Sequence, residues 1–257
     1  MSPSVVAAPS VADLTADAEL AQVIASEAGD LLRDIMSTAT CSAVELGKRG
    51  DLEANTLILG RLQAARPHDF ILSEESHDDR QRCGARRVWI VDPLDGTRDY
   101  SDRLGDYAVH IGLAVDGVPT LGAVCLPASG QTYCSLRPPL LPPPHAGPPR
   151  IAVSRTRAPQ LAQAVADALG GVLVPMGSAG YKAMAVLIGK ADIYLHSGGQ
   201  FEWDNCAPAA VAMAAGLHAS RIDGSPLVYN CADPLLPDLL ICRPEWAKPV
   251  LKAIAAS

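Results

Sequence analysis

The stretch Val88-Trp89-Ile90-Val91-Asp92-Pro93-Leu94-Asp95-Gly96-Thr97 decides how this chain folds. Four β-prone apolar residues predict a buried strand, and the proline biases Asp92 toward an extended conformation, so its carboxylate projects from the strand's carboxyl end. Asp95 follows on the same turn, and paired carboxylates are natural ligands for a hard ion such as Mg²⁺. The N–H groups of Gly96 and Thr97, where the turn opens into a helix, are placed to hold an anion. Alone, this segment is equally consistent with a turn that only caps a helix.

Two further segments place acidic residues at the ends of predicted elements. A short strand over Phe70-Ile71-Leu72 ends in Ser73-Glu74-Glu75-Ser76. Far downstream, Glu202-Trp203-Asp204 precedes an alanine-rich helical run, so Asp204 lies at a predicted helix start. Taken alone, Asp204 is better explained as an ordinary N-cap. The residues by themselves do not decide which of the two adjacent glutamates faces the central turn.

In this order, the Glu74-Glu75 pair, the Asp92 to Thr97 turn and the Trp203-Asp204 pair resemble the signatures of one known family. They are similar to those of the lithium-sensitive, magnesium-dependent phosphomonoesterase superfamily, which includes inositol monophosphatases and 3′(2′),5′-bisphosphate nucleotidases. The resemblance covers nearly the whole chain. It implies a fold of mixed α+β and α/β character, namely a layered αβαβα sandwich of the inositol monophosphatase and fructose-1,6-bisphosphatase type.

The same resemblance implies which residues hold metal. It assigns one Mg²⁺ to Glu74, Asp92 and the backbone carbonyl of Leu94. It assigns a second Mg²⁺ to Asp92, Asp95 and Asp204. Two ions that share Asp92 would stabilise the attacking and the leaving oxygen of a phosphate ester.

The resemblance also implies which residues act on the attacking water. Thr97 orients this water, and Glu74 contributes by holding the metal that activates it. Asp51 is the candidate to pair with Thr97 and to support a third, weaker Mg²⁺. This segment departs from the family pattern, because Lys48 to Asn55 is compressed and ends in Asn55 where the family has an acid. The sequence equally allows Asp51 to lie in a surface loop.

Residues around these motifs resemble the bisphosphate nucleotidase branch. Arg98-Asp99-Tyr100 follows the central turn, Ser154 to Arg157 resembles a nucleotidase segment except that its last residue replaces a histidine, and Gly177 to Lys182 resembles another. An additional cation suits a substrate with two phosphates. The residues alone leave open that Lys182 extends along a helix toward solvent and that Arg155 lies at a solvated strand end. The substrate-binding positions implied by the resemblance are Gly96, Thr97, Arg98, Ser154, Arg155, Ser178, Lys182, Glu202 and Asp204.

These resemblances imply a Mg²⁺-dependent phosphomonoesterase that hydrolyses the 3′-phosphate of adenosine 3′,5′-bisphosphate to give AMP and phosphate, with the sulfated analogue as a further candidate substrate. The expected partner is a small phosphorylated nucleotide, and the family favours a homodimer. The alternative within enzymes is an inositol-1-phosphatase or a sugar phosphatase. The alternative from another class is an inactive nucleotide- or metal-sensing module, whose expected signature is the loss of a metal ligand.

Composition narrows the class of protein further. The chain has 257 residues, 49% of them hydrophobic, and a net charge of −7 at pH 7. A chain of this length buries a substantial core, whereas its acidic balance argues against a general nucleic-acid-binding surface. Neither a secretory signal nor a membrane helix is predicted, because no apolar run approaches the roughly 20 residues that a span requires. Seven scattered cysteines without C-x-x-C spacing indicate free thiols in a reducing cytoplasm.

Patterning divides the chain into four predicted segments. They are a disordered leader over 1–12, an N-terminal α+β metal-binding half over 13–136, a Pro-rich linker over 137–149 and a C-terminal α/β half over 150–257. Apolar spacing predicts helices over Asp13 to Met36 and Leu52 to Arg66. Asp116-Gly117 between two strand patterns predicts an antiparallel hairpin. The last predicted strand runs over Leu239 to Cys242.

Overall fold

A computed structural model describes residues 11–156 and 158–257, and this part of the chain contains seven α-helices and ten β-strands. The helices are α1 (Val11–Thr38), α2 (Ala43–Ala65), α3 (Thr97–Ser101), α4 (Gln160–Leu169), α5 (Ala179–Leu187), α6 (Glu202–Ala214) and α7 (Pro244–Ala255). The strands are β1 (Phe70–Ser73), β2 (Arg87–Asp95), β3 (Ala108–Val115), β4 (Val118–Leu126), β5 (Gln131–Cys134), β6 (Arg150–Ser154), β7 (Val172–Met176), β8 (Ile193–Phe201), β9 (His218–Ser220) and β10 (Leu235–Cys242). None of the described helices combines the length and the apolar character that a bilayer crossing needs.

The strands form two five-stranded sheets. The first has the order β1-β2-β3-β4-β5, with β1 parallel to β2 and the other neighbours antiparallel. The second has the order β7-β6-β8-β10-β9, with β6 parallel to β7 and β8, and β10 antiparallel to both of its neighbours. The predicted hairpin is confirmed, because Asp116 (φ 51°) and Gly117 (φ 77°) join β3 to β4 with the positive φ values of a type I′ turn.

Three apolar cores separate the layers. Trp89 and Val91 of β2 pack with α1 and α2 on one face of the first sheet. Val88 and Ile90 face the other way, into a core shared with α5, α6 and the second sheet, because successive side chains of a strand alternate between its faces. A third core joins the far side of the second sheet to α4 and α7. The predicted αβαβα sandwich is therefore confirmed. Val88 to Val91 of β2 form a continuous apolar run because both faces of the strand are covered.

Glycines allow α6 to lie very close to the first sheet. A Cβ at Gly112 would meet the Ala207 nitrogen at 3.0 Å, and one at Gly122 would meet the Ala207 carbonyl oxygen at 2.5 Å. Larger residues on these strands would push the helix outward. The close approach brings the N-terminus of α6, with Asp204, beside the carboxyl end of β2.

Helix α2 begins at Ala43 and not at Leu52 as predicted. Ser42 and Glu45 form a capping box at its start. The glycines between Ala43 and Leu52 are typical of a loop, but here they allow α2 to pack closely on α3. A Cβ at Gly47 would lie 2.5 Å from the Ser101 hydroxyl oxygen. Asp51 is consequently held on a helix, and the surface-loop alternative is wrong.

The predicted segments are reproduced only in part. Helix α1 begins at Val11, so residues 11–12 of the predicted leader are helical, whereas residues 1–10 lie outside the described residues, as does Arg157. Residues 138–149 contain neither helix nor strand. The division into two halves stays a prediction, since the middle core contains residues from both. All seven cysteines are free thiols.

We predict that Gly122→Ala destabilises the protein by about 2 kcal/mol, because the added methyl group meets backbone atoms of α6 that cannot move aside cheaply. The free energy of unfolding from urea titration measures this change. Gly60→Ala is the matched control: Gly60 is exposed on α2, nothing lies within 4 Å of its Cβ position, and the substitution should stabilise by up to about 1 kcal/mol. Equal unfolding midpoints for Gly122→Ala and the parent protein would contradict the packing argument.

Candidate active site

The carboxyl end of β2 carries a cluster of acidic residues. Asp92 and Asp95 are 1% and 7% exposed. The first turn of α6 adds Asp204, and carboxylate oxygens of these three residues lie within 4.8 Å of one another. Glu74 follows β1, where its backbone N–H donates to the Val91 carbonyl oxygen at 3.2 Å, and its side chain interacts with that of Asp92. The structure thus brings the predicted metal-binding side chains together, with the backbone of Leu94 between two of them.

The irregular end of β2 directs the carboxylates of Asp92 and Asp95 into the same volume. The Asp92 carboxylate accepts a hydrogen bond from the Leu94 N–H at 3.0 Å, and the pairing of β2 with β3 changes register between Asp92 and Asp95. Such an irregularity bends a strand and redirects its side chains. Gly96 then adopts φ 88°, and a Cβ there would lie 3.0 Å from the Asp106 carbonyl oxygen, so only glycine fits.

Burial, and then the crowding of negative charge, raises the pKa of three of these carboxyls. Burial, and then the charge of Glu74, raises the pKa of Asp92 well above its usual range. Burial and the charge of Asp204 raise the pKa of Glu74 to about 7, and burial and the charge of Asp95 raise the pKa of Asp204 to about 6. Adjacent carboxylates removed from water require protons or a cation. This all-oxygen donor set fits a hard divalent cation.

The first glutamate of the pair is the one that faces the cluster. The pKa of Glu74 is shifted by Asp204, Asp92 and Asp95, whereas the charge of Glu75 acts mainly on Asp51. The sequence alone left this choice open. The electrostatic interaction of Glu74 with the three aspartates therefore favours Glu74 as the ligand.

Asp95 differs from its neighbours because hydrogen-bond donors surround it. Its carboxylate accepts the N–H groups of Ala179 (3.1 Å) and Gly180 (2.6 Å) at the start of α5, and also the hydroxyl of Ser178. Burial by itself would raise the pKa of Asp95, but the charge of His110 and these donors outweigh burial and lower the pKa to about 2. Asp95 is therefore ionised throughout the neutral range.

His110 on β3 holds Asp95 and α6 together, and sequence reasoning missed it. Its Nδ1 lies 3.0 Å from the carbonyl oxygen of Trp203, which can only accept, and its Nε2 forms an ion pair with the Asp95 carboxylate at 3.2 Å. Burial acts to lower the pKa of His110, but the charge of Asp95 outweighs it and raises the pKa. The available signal was one histidine within the otherwise apolar run of β3.

Thr97 and Asp51 meet beside the cluster. The Thr97 hydroxyl lies 3.2 Å from Asp51 Oδ1 and 3.1 Å from the Leu94 carbonyl oxygen, and its single proton can be donated to either. Burial, and then the charge of Glu75, raises the pKa of Asp51 to about 7. The pair is therefore positioned, and Asp51 has the proton affinity, to accept a proton near neutral pH.

Asn55, which replaces an acid of the family pattern, connects α2 to the loop that carries Glu74. Its side-chain oxygen accepts the Ser73 hydroxyl at 2.7 Å, and its amide donates to the Ser76 hydroxyl at 3.2 Å. An amide of this kind offers no negative charge to a cation. Asn55 supports the position of Glu74 and leaves Asp51 as the acid on this face of α2.

Two residues predicted to bind substrate form hydrogen bonds within the protein. Ser178 caps α5, because its hydroxyl donates to Asp95 and accepts from the Tyr181 N–H at 3.1 Å. Lys182 is 5% exposed, and its ammonium donates to the carbonyl oxygens of Gly177 (3.1 Å) and Ser178. Both polar groups are turned inward and bonded within the protein, and their role in binding substrate stays a prediction.

Glu202, also predicted to bind substrate, is likewise bonded within the protein. It is fully buried, and its carboxylate accepts the N–H groups of Asn230 (2.8 Å) and Cys231 (2.7 Å). The buried guanidinium of Arg82 donates to the side chain of Asn230 and to the carbonyl of Cys231, both at 2.9 Å, and pairs with Asp78 at 2.8 Å. This network ties the first turn of α6 to the loop between β1 and β2. Glu202 thus supports the geometry of the cluster, and its contact with substrate stays a prediction.

Arg155 and Ser154 lie at the carboxyl end of β6. Arg155 is ion-paired with both Asp99 and Asp106, so two carboxylates already neutralise its charge. The Ser154 hydroxyl lies 3.5 Å from that of Thr156. A substrate phosphate would have to displace the carboxylates to bind Arg155.

Arg98 is the more available cation. Its side chain is 78% exposed, with a single loose contact to Asp102 at 3.9 Å. Together with Lys48, it lines a cavity of about 430 Å³ that also includes Asp51 and Thr97. Two cations beside the Thr97 hydroxyl suit a phosphorylated ligand.

Comparison with known proteins agrees with this arrangement. The sequence is 52% identical over 219 residues to a 3′-phosphoadenosine 5′-phosphate phosphatase of Mycobacterium tuberculosis, covering 82% of each chain. It is 48% identical over 257 residues to the protein of that name from Mycobacterium leprae, covering 95% of this chain and 94% of the relative. The crystal structure of CysQ from Bacteroides thetaiotaomicron, a bacterial member of the inositol monophosphatase family, superposes with a TM-score of 0.76 at 27% identity, covering 89% and 97% of the two chains.

The family model agrees with these individual matches. The inositol monophosphatase family model matches residues 10–138 and 149–255. The interruption falls within the Pro-rich segment between the two sheets. Since these two stretches include both sheets and every residue of the acidic cluster, the chain belongs to the inositol monophosphatase family.

Proposed function

We propose that this protein is a Mg²⁺-dependent phosphomonoesterase that removes the 3′-phosphate of adenosine 3′,5′-bisphosphate, giving AMP and phosphate. The observation that carries the proposal is the convergence of Glu74, Asp92, Asp95 and Asp204 beside the Thr97–Asp51 pair. The relatives named as phosphatases of this nucleotide, at 48% and 52% identity, support the choice of substrate. The sulfated analogue is a further candidate substrate.

The residues proposed to hold Mg²⁺ fall into two sets. Glu74, Asp92 and the Leu94 carbonyl form one set, and Asp92, Asp95 and Asp204 form the other. When bound, such ions neutralise phosphate charge and lower the pKa of water. A third Mg²⁺ beside Asp51, a homodimer and a cytoplasmic location stay predictions.

The chain's own groups handle the attacking water and its proton. We assign to the Thr97 hydroxyl the orientation of the water, and to Asp51 the acceptance of a proton through Thr97, which its pKa of about 7 supports. The N–H groups of Gly96 and Thr97, at the end of the acidic turn, are proposed to hold the phosphate that is cleaved. Arg98 is proposed to bind the second phosphate, since its charge is freer than that of Arg155.

The alternatives differ in testable ways. An inositol or sugar phosphatase would use the same acidic cluster but would not require a second phosphate or a base on its substrate. An inactive sensing module would lack part of the cluster, yet every predicted ligand is present and Asp95 is ionised. The arrangement therefore favours an active enzyme.

We predict that, with Mg²⁺, kcat/KM for adenosine 3′,5′-bisphosphate exceeds that for inositol 1-phosphate by at least about 100-fold, because a site that binds a second phosphate and a base gains interactions that inositol cannot offer. Phosphate release from both substrates measures this ratio, with EDTA as the metal-free control. A preference for inositol 1-phosphate would reject the proposed substrate.

Asp95→Asn should lower kcat by about 10³-fold or more, because the amide cannot supply the negative charge that both metal and His110 require. Circular dichroism should remain that of the parent protein. Asp167→Asn, on the exposed side of α4, is the control for removal of an aspartate and should leave kcat unchanged. Substantial turnover by Asp95→Asn would reject the assignment of this residue as a metal ligand.

The metal-free protein should become more stable as the pH falls from about 8 to about 5, because the folded state binds protons more tightly than the unfolded chain wherever carboxyl pKa values are raised. The pKa values of about 7 for Glu74 and about 6 for Asp204 set this window. Asp95, with its lowered pKa, contributes only at far lower pH. Bound Mg²⁺ replaces the protons, so it should stabilise most at the alkaline end.

Thermal unfolding at a series of pH values, with EDTA or with saturating Mg²⁺, measures this dependence. Glu74→Gln is the matched variant and should flatten the metal-free curve, because it removes one of the crowded charges. A metal-free melting temperature that rises with pH across the window, or that Mg²⁺ leaves unchanged, would contradict the assignment.

A further inference from the structure

Two aromatic rings stack at the rim of the acidic cluster. The rings of Phe201 and Trp203 are nearly parallel, at 8°, with their centroids 4.7 Å apart. They flank the buried Glu202, and the Phe201 N–H donates to the Asp204 carboxylate at 2.6 Å. The stacked pair therefore starts at the N-cap residue of α6, whose N–H is bonded to the proposed metal ligand Asp204.

Core packing accounts for Trp203, which is partly buried against the middle core, but not for Phe201. Phe201 is 41% exposed, and Leu235, its register partner on β10, is 50% exposed. Most other large aromatic side chains in the described part of the chain are buried, among them Trp89, Tyr100 and Tyr194. Phe201 and Leu235 form an exposed apolar surface beside a strongly anionic centre. Such a surface is typical of one that contacts a ligand.

The stacked rings of Phe201 and Trp203 are also held rigidly. The carbonyl of Trp203 contacts His110 at 3.0 Å, and the backbone of Phe201 is fixed both by its bond to Asp204 and by the pairing of β8 with β10. Trp203 covers one face of the Phe201 ring and so limits its rotamers. A ligand that stacks on the ring consequently orders little of the protein when it binds.

We propose that Phe201, supported by Trp203, is the stacking surface for the nucleobase of the substrate and determines specificity for nucleotides. This inference rests on the proposed function. In adenosine 3′,5′-bisphosphate only the ribose separates the base from the 3′-phosphate, so a phosphate at the acidic cluster leaves the base within reach of its rim. A flat aromatic base matches an exposed phenyl ring, whereas an inositol ring carries a hydroxyl on every carbon and has no π face.

The test compares two substrates that differ only in the base: adenosine 3′,5′-bisphosphate and the abasic analogue 1-deoxyribose 3,5-bisphosphate. The parent protein should prefer the nucleotide by roughly 10- to 100-fold in kcat/KM, the range that stacking of one base supports. Phe201→Ala should lose most of this preference, chiefly through KM, while its kcat/KM for the abasic analogue stays the same. Phe201→Tyr, which keeps the ring, should retain the preference.

Two further variants keep the result interpretable. Phe201→Leu preserves an apolar side chain without a π face, so it should fall between Ala and Tyr if stacking is the cause. Phe70→Ala removes the comparably exposed phenylalanine of β1, 40% exposed, and should not change the preference. Calorimetric titration with AMP and with ribose 5-phosphate provides a readout independent of turnover, in which Phe201→Ala weakens only the binding of AMP.

The outcomes separate this inference from the proposed function. If the parent protein prefers the nucleotide and Phe201→Ala lowers kcat/KM for both substrates equally, the stacking role is wrong and the proposed function stands. If the parent protein hydrolyses inositol 1-phosphate and not the nucleotide, both are wrong. If only the parent protein and Phe201→Tyr, which both carry an aromatic ring at this position, retain the preference for the base, the stacking role is established.

Discussion

Several carboxylates are buried side by side at the end of β2, and the surrounding residues compensate for this arrangement. Raised pKa values at Asp92, Glu74 and Asp204 show that these groups are placed together at an electrostatic cost. Asp95 remains ionised because His110 and the first N–H groups of α5 surround it with positive partners. Asp95 carries a permanent negative charge, and the three carboxyls around it need protons or a cation. At neutral pH this arrangement favours a divalent cation over protons.

Residues behind the cluster determine its geometry. His110 connects β3 to α6, and Glu202 connects α6 through Asn230 to Arg82 in the loop between β1 and β2. Asn55 holds that loop from the other side. Because His110, Glu202, Arg82 and Asn55 are buried and bonded, removing one would leave its partner unsatisfied. The site is thus rigid for reasons that lie outside its own ligands.

Cationic and apolar side chains lie on different sides of the acidic cluster. Cationic Arg98 and Lys48 lie on the side of α2 and α3, where the cavity opens. The apolar Phe201 ring lies at the start of α6. A substrate with two phosphates and an aromatic base has one group for each surface, which an inositol phosphate does not. The overall acidic balance of the chain makes these local cations important for attracting an anion.

The five-layer fold, the β3–β4 hairpin and the acidic turn could be predicted before folding was considered, because they follow from local periodicity, turn chemistry and the family signatures. The inward orientation of Ser178, Lys182 and Glu202, and the place of His110 in the site, emerged only from the folded chain. Their roles depend on partners far away in the chain: 83 residues separate Ser178 from Asp95, and 93 separate His110 from Trp203. A motif specifies residue types, but a buried polar group takes its role from the donor or acceptor that packing brings to it.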